Sequence, residues 1–332
     1  MLRIYGFLFG VVLGAQSVDR HVGAAACGKC HVREFAAQSR TGHARALSRA
    51  ETHPLRGSWP LATTEARRTG GFRYRFDGLT LRVDNGNDVL AVPLEWAFGA
   101  GLQAVTFVSQ VDAKSSVELY LTYFSKLRGF GPTPGHAALR PVNLAEAAGL
   151  FYPVGDAAAG IEGCFDCHST GKLENGVRCE ACHGAGSGHA ASGGKQRLTN
   201  PGKMTAAEMN RFCGRCHRPP AADAAKVDWS YAWNVRHQPV YFSESACFLK
   251  SKGKLRCTTC HEPHEELATA ASHYDAKCMG CHTTRAAACG DRNCAECHMP
   301  RVSPEPPLGF TNHWIGVYRG GAGLKPAPRN RR

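Results

Sequence analysis

Gly176-Val177-Arg178-Cys179-Glu180-Ala181-Cys182-His183-Gly184 contains a five-residue word, Cys-x-x-Cys-His, that this chain spells seven times. The other copies are Cys27/Cys30/His31, Cys164/Cys167/His168, Cys213/Cys216/His217, Cys257/Cys260/His261, Cys278/Cys281/His282 and Cys294/Cys297/His298. They use fourteen of the sixteen cysteines in 332 residues, where random placement would give roughly 0.04 such words. The repetition is therefore not chance.

The spacing has a chemical reading. Two thiols three residues apart can each add across one vinyl group at the same edge of a porphyrin, and the next residue swings its imidazole under the iron. Paired Cys-x-x-Cys also builds zinc ribbons and thioredoxin-like redox sites, but neither needs histidine after every second cysteine. The words predict seven covalently attached c-type haems, with the fourteen cysteines as anchors and the seven motif histidines as iron ligands.

About 47 residues then serve each haem, too few to bury seven porphyrins in separate apolar cores. The expectation is a mainly α and irregular chain in which the haems themselves form the core, interrupted by a small antiparallel β insertion. Strand formers alternate with polar residues at 72–76, 79–83, 89–96, 105–111 and 117–124, with a turn at Asp84-Asn85-Gly86-Asn87. Such a sheet would be a platform beside the haems or a docking surface for a redox partner. The expected divisions are a signal peptide at 1–17, a first haem segment at 18–60, the β insertion at 61–130, a Gly/Pro linker at 131–163, a six-haem region at 164–320 and a mobile basic tail at 321–332. Thr205-Ala206-Ala207-Glu208 reads as a capping box that opens a helix running into Cys213.

The formal charge of +13 would suit nucleic acid or an anionic membrane. Seven haems bring about fourteen propionate charges, so the basic excess reads as cofactor compensation, and no basic stripe is interleaved with aromatics as nucleic-acid binding would require. Met1-Leu2-Arg3, the apolar run 4–13 and Ala15-Gln16-Ser17 form a secretory pattern with cleavage after Ser17. The run is shorter than the ~20 residues a membrane span needs. A periplasmic or extracellular location follows, and it agrees with haem attachment outside the cytoplasm.

Nine histidines remain for the far side of seven irons: His21, His43, His53, His136, His189, His237, His264, His273 and His313. Context favours His43, His189, His264, His313 and His136, then His237 and His273; His21 and His53 are the weaker candidates. Met299 follows His298 directly and would have to reach a different haem. Cys247 and Cys289 are left over, and an oxidising compartment would join them in a disulfide, with thiols or an axial sulfur ligand as the alternatives.

Several stretches carry a family likeness: Val22-Gly23 to His31, Gly42-His43-Ala44-Arg45, residues 164–170, Gly176 to Gly184 with His189, residues 257–264, and Cys294 to Arg301. There the chain resembles the multihaem cytochrome c superfamily that includes the tetrahaem cytochrome c-554 type, hydroxylamine oxidoreductase and pentahaem nitrite reductase. The resemblance covers about two thirds of the mature chain. It implies parallel and perpendicular haem pairs, bis-histidine ligation, and His43, His189 and His264 as distal ligands. It does not carry catalysis, because no Cys-x-x-Cys-Lys word is present, the word count is seven rather than eight, and a sheet is inserted. The leading expectation is electron transfer between a redox donor, either a protein or a membrane quinol-oxidising complex, and an acceptor. The alternatives are an oxidoreductase acting on a small nitrogen or sulfur compound at an open-coordinate haem, and a homo-oligomer or subunit of an extracellular cytochrome filament.

Overall fold

In the computed structural model, residues 19–62, 67–155, 160–171, 174–284, 289–290, 293–320 and 323–327 are described. The signal segment and much of the basic tail lie outside them. Period-2 patterning is realised from Leu47 to Pro153. The strands are β1 (Leu47–Arg49), β2 (Arg67–Thr69), β3 (Phe72–Asp77), β4 (Thr80–Asp84), β5 (Val89–Pro93), β6 (Trp96–Phe98), β7 (Ala104–Gln110), β8 (Ser115–Leu119), β9 (Leu121–Phe124), β10 (Gly129–Pro132) and β11 (Gly149–Pro153). Strands β2 to β5 form an antiparallel meander; a second antiparallel sheet runs β1-β6-β7-β8-β11, with β9 joining β7 to β10.

Alternation explains the meander. Phe72, Tyr74 and Phe76 point inward while Arg73 and Arg75 face outward, and Tyr74 and Phe76 pair with Val83 and Leu81 across β4. The β4–β5 turn is held by side chains: Asn85 Oδ1 accepts from Asn87 and Asp88 N–H at 3.0 and 2.8 Å, with Gly86 at φ 97°. The two sheets share one core of Tyr74, Leu81, Val83, Phe107, Val117, Leu119 and Leu121, in which Tyr74 stacks on Tyr120 at 5.0 Å and Trp59 meets Phe107 edge-on at 4.9 Å.

This corrects the expected fold class. The described residues are 32% helical and 20% strand, so the fold is not mainly α, and its sheets are not a minor insertion. Nor do haems replace a protein core here, because the two sheets bury a continuous set of aromatic and branched side chains of their own. Within the Gly/Pro-rich stretch, Asn143 caps a short helix, Leu144–Ala148, by accepting from Glu146 N–H, and that helix delivers β11 to the sheet edge.

The rest of the chain is short helices and turns, most of them under two turns long and dependent on tertiary support. The longest among the described residues, Ala206–His217, begins where the capping box predicts: Thr205 accepts from Glu208 N–H, and the Glu208 carboxylate accepts from Thr205 N–H. A second apolar cluster joins sheet to helix, with Leu47, Phe98 and Val108 packed on Ile161 and Phe165. It seats Glu162–His168, the helix of the second motif, against the β unit.

A candidate haem array

Each Cys-x-x-Cys-His word begins on a turn of helix. The carriers are Ala24–Gly28, Glu162–His168, Cys179–His183, Ala206–His217, Cys257–Cys260, Ala271–Met279 and Cys294–His298. Where the helix stops early, the backbone still closes the same turn: His31, His261 and His282 N–H donate to the carbonyls of Cys27, Cys257 and Cys278 at 2.9, 3.0 and 3.0 Å. One turn puts both thiols on one face and brings the imidazole back beneath them.

The histidines divide by which ring nitrogen is engaged. Nδ1 of His168, His183 and His298 donates to the carbonyls of Ala46, Thr199 and Gly316 at 3.0, 2.9 and 2.8 Å, and His217 Nδ1 donates to Gln238 Oε1 at 3.2 Å. Outside the motifs, His189, His264 and His313 use Nδ1 in the same way, on Gln196 O, Glu262 Oε1 and Thr311 O at 2.7, 3.0 and 3.0 Å. A proton fixed on Nδ1 leaves the Nε2 lone pair for a metal. Burial acts in the same direction, holding His43, His168, His217 and His261 below the usual imidazole range and His313 down at about 4, so the rings stay neutral.

Four pairs of imidazoles share one spacing. His31 faces His189 with ring centres 6.2 Å apart, His217 faces His43 at 6.1 Å, His183 faces His264 at 6.1 Å, and His261 faces His313 at 6.2 Å. Each pair joins one motif histidine to one from outside the motifs. Two imidazoles that held one metal between them, with bonds of about 2.0 Å and each ring centre about 1.1 Å behind its nitrogen, would have centres about 6.2 Å apart. The residues present thus fit a haem iron that each pair would hold.

Sequence-distant backbone positions these rings. His43 is placed by the segment before the third motif: Val177 N–H donates to His43 O at 2.8 Å, and Gln38 Nε2 donates to Val177 O at 2.7 Å. Gly176, at φ 82°, lies so close to the Ala44 carbonyl that a Cβ has no room. Gly176→Ala is therefore expected to destabilise the protein by about 1–3 kcal/mol and to displace His43 from His217, read as lowered thermal stability together with a perturbed low-spin signal.

Thiols of different motifs also touch. Cys27 meets Cys179, Cys213 meets Cys257, Cys167 meets Cys216, and Cys278 meets Cys294. Cys182 lies near Cys213, and Cys260 near Cys281. In motif order these contacts run first–third–fourth–fifth–sixth–seventh, with the second attached at the fourth.

Cys30, Cys164, Cys216, Cys281 and Cys297 are exposed, and the other motif cysteines are half-buried.

Other expected ligands sit elsewhere. His136 is buried in the β unit, its Nε2 3.2 Å from Glu118 Oε2 and its ring 6.3 Å from Tyr120. His53 uses both nitrogens, Nε2 on Gly99 O and Nδ1 accepting from Leu55 N–H, each at 3.1 Å, and stacks on Trp59 at 5.1 Å. His21 lies against Gly171, and His273 against Tyr274 at 5.1 Å. His237 is depressed to about 4, chiefly by burial, and its Nδ1 is buried. Among the described residues, no second imidazole stands at the 6 Å spacing from His168, His282 or His298. Sequence reading missed Phe98, a strand residue whose ring meets His168 at 5.3 Å; nothing local marks it. No disulfide joins Cys247 to Cys289; Cys247 instead lies near the motif thiol Cys260.

Among the described residues no group of three or more His, Cys, Asp or Glu converges as a bare-ion site. No protein-family model matches the chain. A curated relative, the multiheme cytochrome MtrA of Shewanella baltica (strain OS185), is 24% identical over 162 residues, 45% of this chain and 42% of that protein. The outer cell wall cytochrome OcwA superposes with a TM-score of 0.54 at 14% identity, over 89% of this chain and 79% of that one. Over part of its length the chain is thus similar in sequence to a multihaem cytochrome. An undecaheme cytochrome from the S-layer of Carboxydothermus ferrireducens aligns at TM-score 0.44 and 16% identity, over 90% of this chain and 52% of that one. The chain spans less than half the length of the curated relative it matches. Among its described residues no helix is long and apolar enough to cross a membrane.

Proposed function

We propose that this cytochrome carries seven haems c and transfers electrons along them between a redox donor and an acceptor outside the cytoplasm. The supporting observation is the set of four motif-to-distal histidine pairs at 6.1–6.2 Å. His189, His43, His264 and His313 are the proposed distal ligands for the irons held by His31, His217, His183 and His261. Haem c, when bound, supplies a one-electron Fe(III)/Fe(II) couple. The chain's residues do the rest: cysteines fix each ring edge, carbonyls orient Nδ1, and thiol contacts bring motifs together. The proposed order follows those contacts, with the second motif a branch at the fourth, resting on the β unit.

The donor and acceptor are taken to be redox proteins or a membrane quinol-oxidising complex, and the location periplasmic or extracellular. Intact-mass measurement of the mature protein is expected to give seven haem increments, and a smaller number overturns the count. Electron paramagnetic resonance of the oxidised form is expected to be dominated by low-spin bis-imidazole signals. A substantial high-spin signal that binds cyanide overturns a pure carrier in favour of chemistry at an open iron.

A further inference from the structure

Two carboxylates stand where the first and third motifs meet. Glu180 occupies a variable position inside the third motif and is 4% exposed, yet no cation is seen paired with its carboxylate among the described residues. Its oxygens accept instead from backbone: Val22 N–H at 2.9 Å, Gly23 N–H at 2.8 Å and Gly186 N–H at 2.8 Å. Glu174 Oε1 accepts from Ala24 N–H at 2.7 Å, at the start of the helix that carries Cys27, and its Oε2 is buried with no hydrogen-bond partner. Both lie within electrostatic reach of Cys27 Sγ, which itself touches Cys179. Arg178 is the nearby guanidinium, and it is turned toward Ser39 Oγ at 3.1 Å and the face of Phe35.

The arrangement is costly unless it has a use. A buried carboxylate needs strong compensation, and neutral amides supply hydrogen bonds without cancelling its charge. A neutral side chain could tie the same segments together. The amides that Glu180 gathers come from the segment leading into the first motif and from the loop before helix Ser187–Ala191, which bears His189. One side chain thus joins Cys27, Cys179 and the imidazole that faces His31.

We propose that Glu174 and Glu180 form an anionic clamp at the junction of the first and third motifs, and that it lowers the reduction potentials of the two haems carried there. The inference rests on the haem reading above. A fixed negative charge favours Fe(III) over Fe(II), and weakly screened charge acts over longer range than in water. The two sites become the reducing end of the array, and electrons run from them toward the fourth motif. Both glutamates are positioning residues; neither is an iron ligand.

The test is spectropotentiometry of the holoprotein with E180Q, E174Q and E180D. E180Q keeps an acceptor oxygen and removes the charge. It is expected to shift the lowest-potential part of the titration upward by about 59 mV, a roughly tenfold change in the ferric-to-ferrous ratio, with E174Q shifting the same part and E180D leaving it in place. If E180Q does not accumulate, E174Q, at a side chain making a single backbone contact, carries the test. Titrations of the glutamine variants that superimpose on wild type, with all haems present by mass, overturn the clamp and leave the haem reading intact. Peptide mass mapping that finds no haem on Cys27/Cys30 or Cys179/Cys182 of the wild type overturns the underlying reading instead.

Discussion

His313→Ala is expected to convert one low-spin ferric centre into a high-spin one, while His53→Ala leaves the spin states of the wild type unchanged. Neither histidine belongs to a motif. His313 stands 6.2 Å from His261, with Nδ1 engaged by Thr311 O and Nε2 available. Its backbone is held by Ser245, a fully buried residue whose hydroxyl donates to His313 O at 2.6 Å and accepts from Ile315 N–H at 2.9 Å. Removing the imidazole leaves the iron held by His261 with one protein nitrogen, so water or an added anion can enter. His53 has neither nitrogen available. Its loss costs two hydrogen bonds and a stack on Trp59, about 1–3 kcal/mol of stability, with no change in spin state. Resonance spectra with and without added cyanide, beside thermal unfolding, separate the two. A His313→Ala protein with an unchanged spectrum would sink the pairing of His261 with His313, and by extension the spacing criterion used for the other three pairs.

Phe107→Ala is expected to destabilise the β unit by about 3–5 kcal/mol. Phe107 is fully buried on β7, meets Trp59 edge-on at 4.9 Å, and lies in the core shared by both sheets. Alanine would leave a cavity that the surrounding aromatics cannot close, because the strands on either side are fixed by their ladders. The loss should appear as a lower denaturation midpoint in amide circular dichroism. Because helix Glu162–His168 rests on Phe98 and Val108 of the same sheet, the second motif should become more labile than the others. A midpoint unmoved by Phe107→Ala would mean that the β unit draws its stability from the haem region rather than from its own core.

Different parts of this structure were unequally visible in the chain. The haem anchors were plain because their chemistry is contiguous: two thiols and an imidazole act within five residues, so local spacing carries the whole signal. The capping box before Cys213 was equally local, and it marks the helix start where Thr205 and Glu208 exchange hydrogen bonds. Alternation revealed β3, β4 and β7, but not the three-residue β1, nor β11 within the Gly/Pro-rich stretch, which pair with Phe98 and Leu119 far along the chain. The fold class was misjudged for that reason. Counting residues per haem assumed that protein was spread evenly over the cofactors, whereas the chain between the first and second motifs folds a core of its own.

Distal histidines show the same limit. Context ranked His136 with His43, His189, His264 and His313, since all five sit near glycine, proline or a motif. Folding placed four of them opposite motif imidazoles and buried the fifth beside Glu118 and Tyr120. The partners in these pairs lie as far apart in sequence as His43 and His217, and no spacing rule spans such an interval.

Sequence alone therefore determined which residues are proposed to anchor the cofactors, because covalent attachment needs only neighbours along the chain. It also located the principal strands, because burying one face of a sheet imposes a period of two. Tertiary structure decided which imidazoles face each other, which motifs touch, and where Glu174 and Glu180 place their charge. Those are relations between segments brought together by burial and backbone pairing, and the distances that govern ligation and potential exist only once the chain has folded.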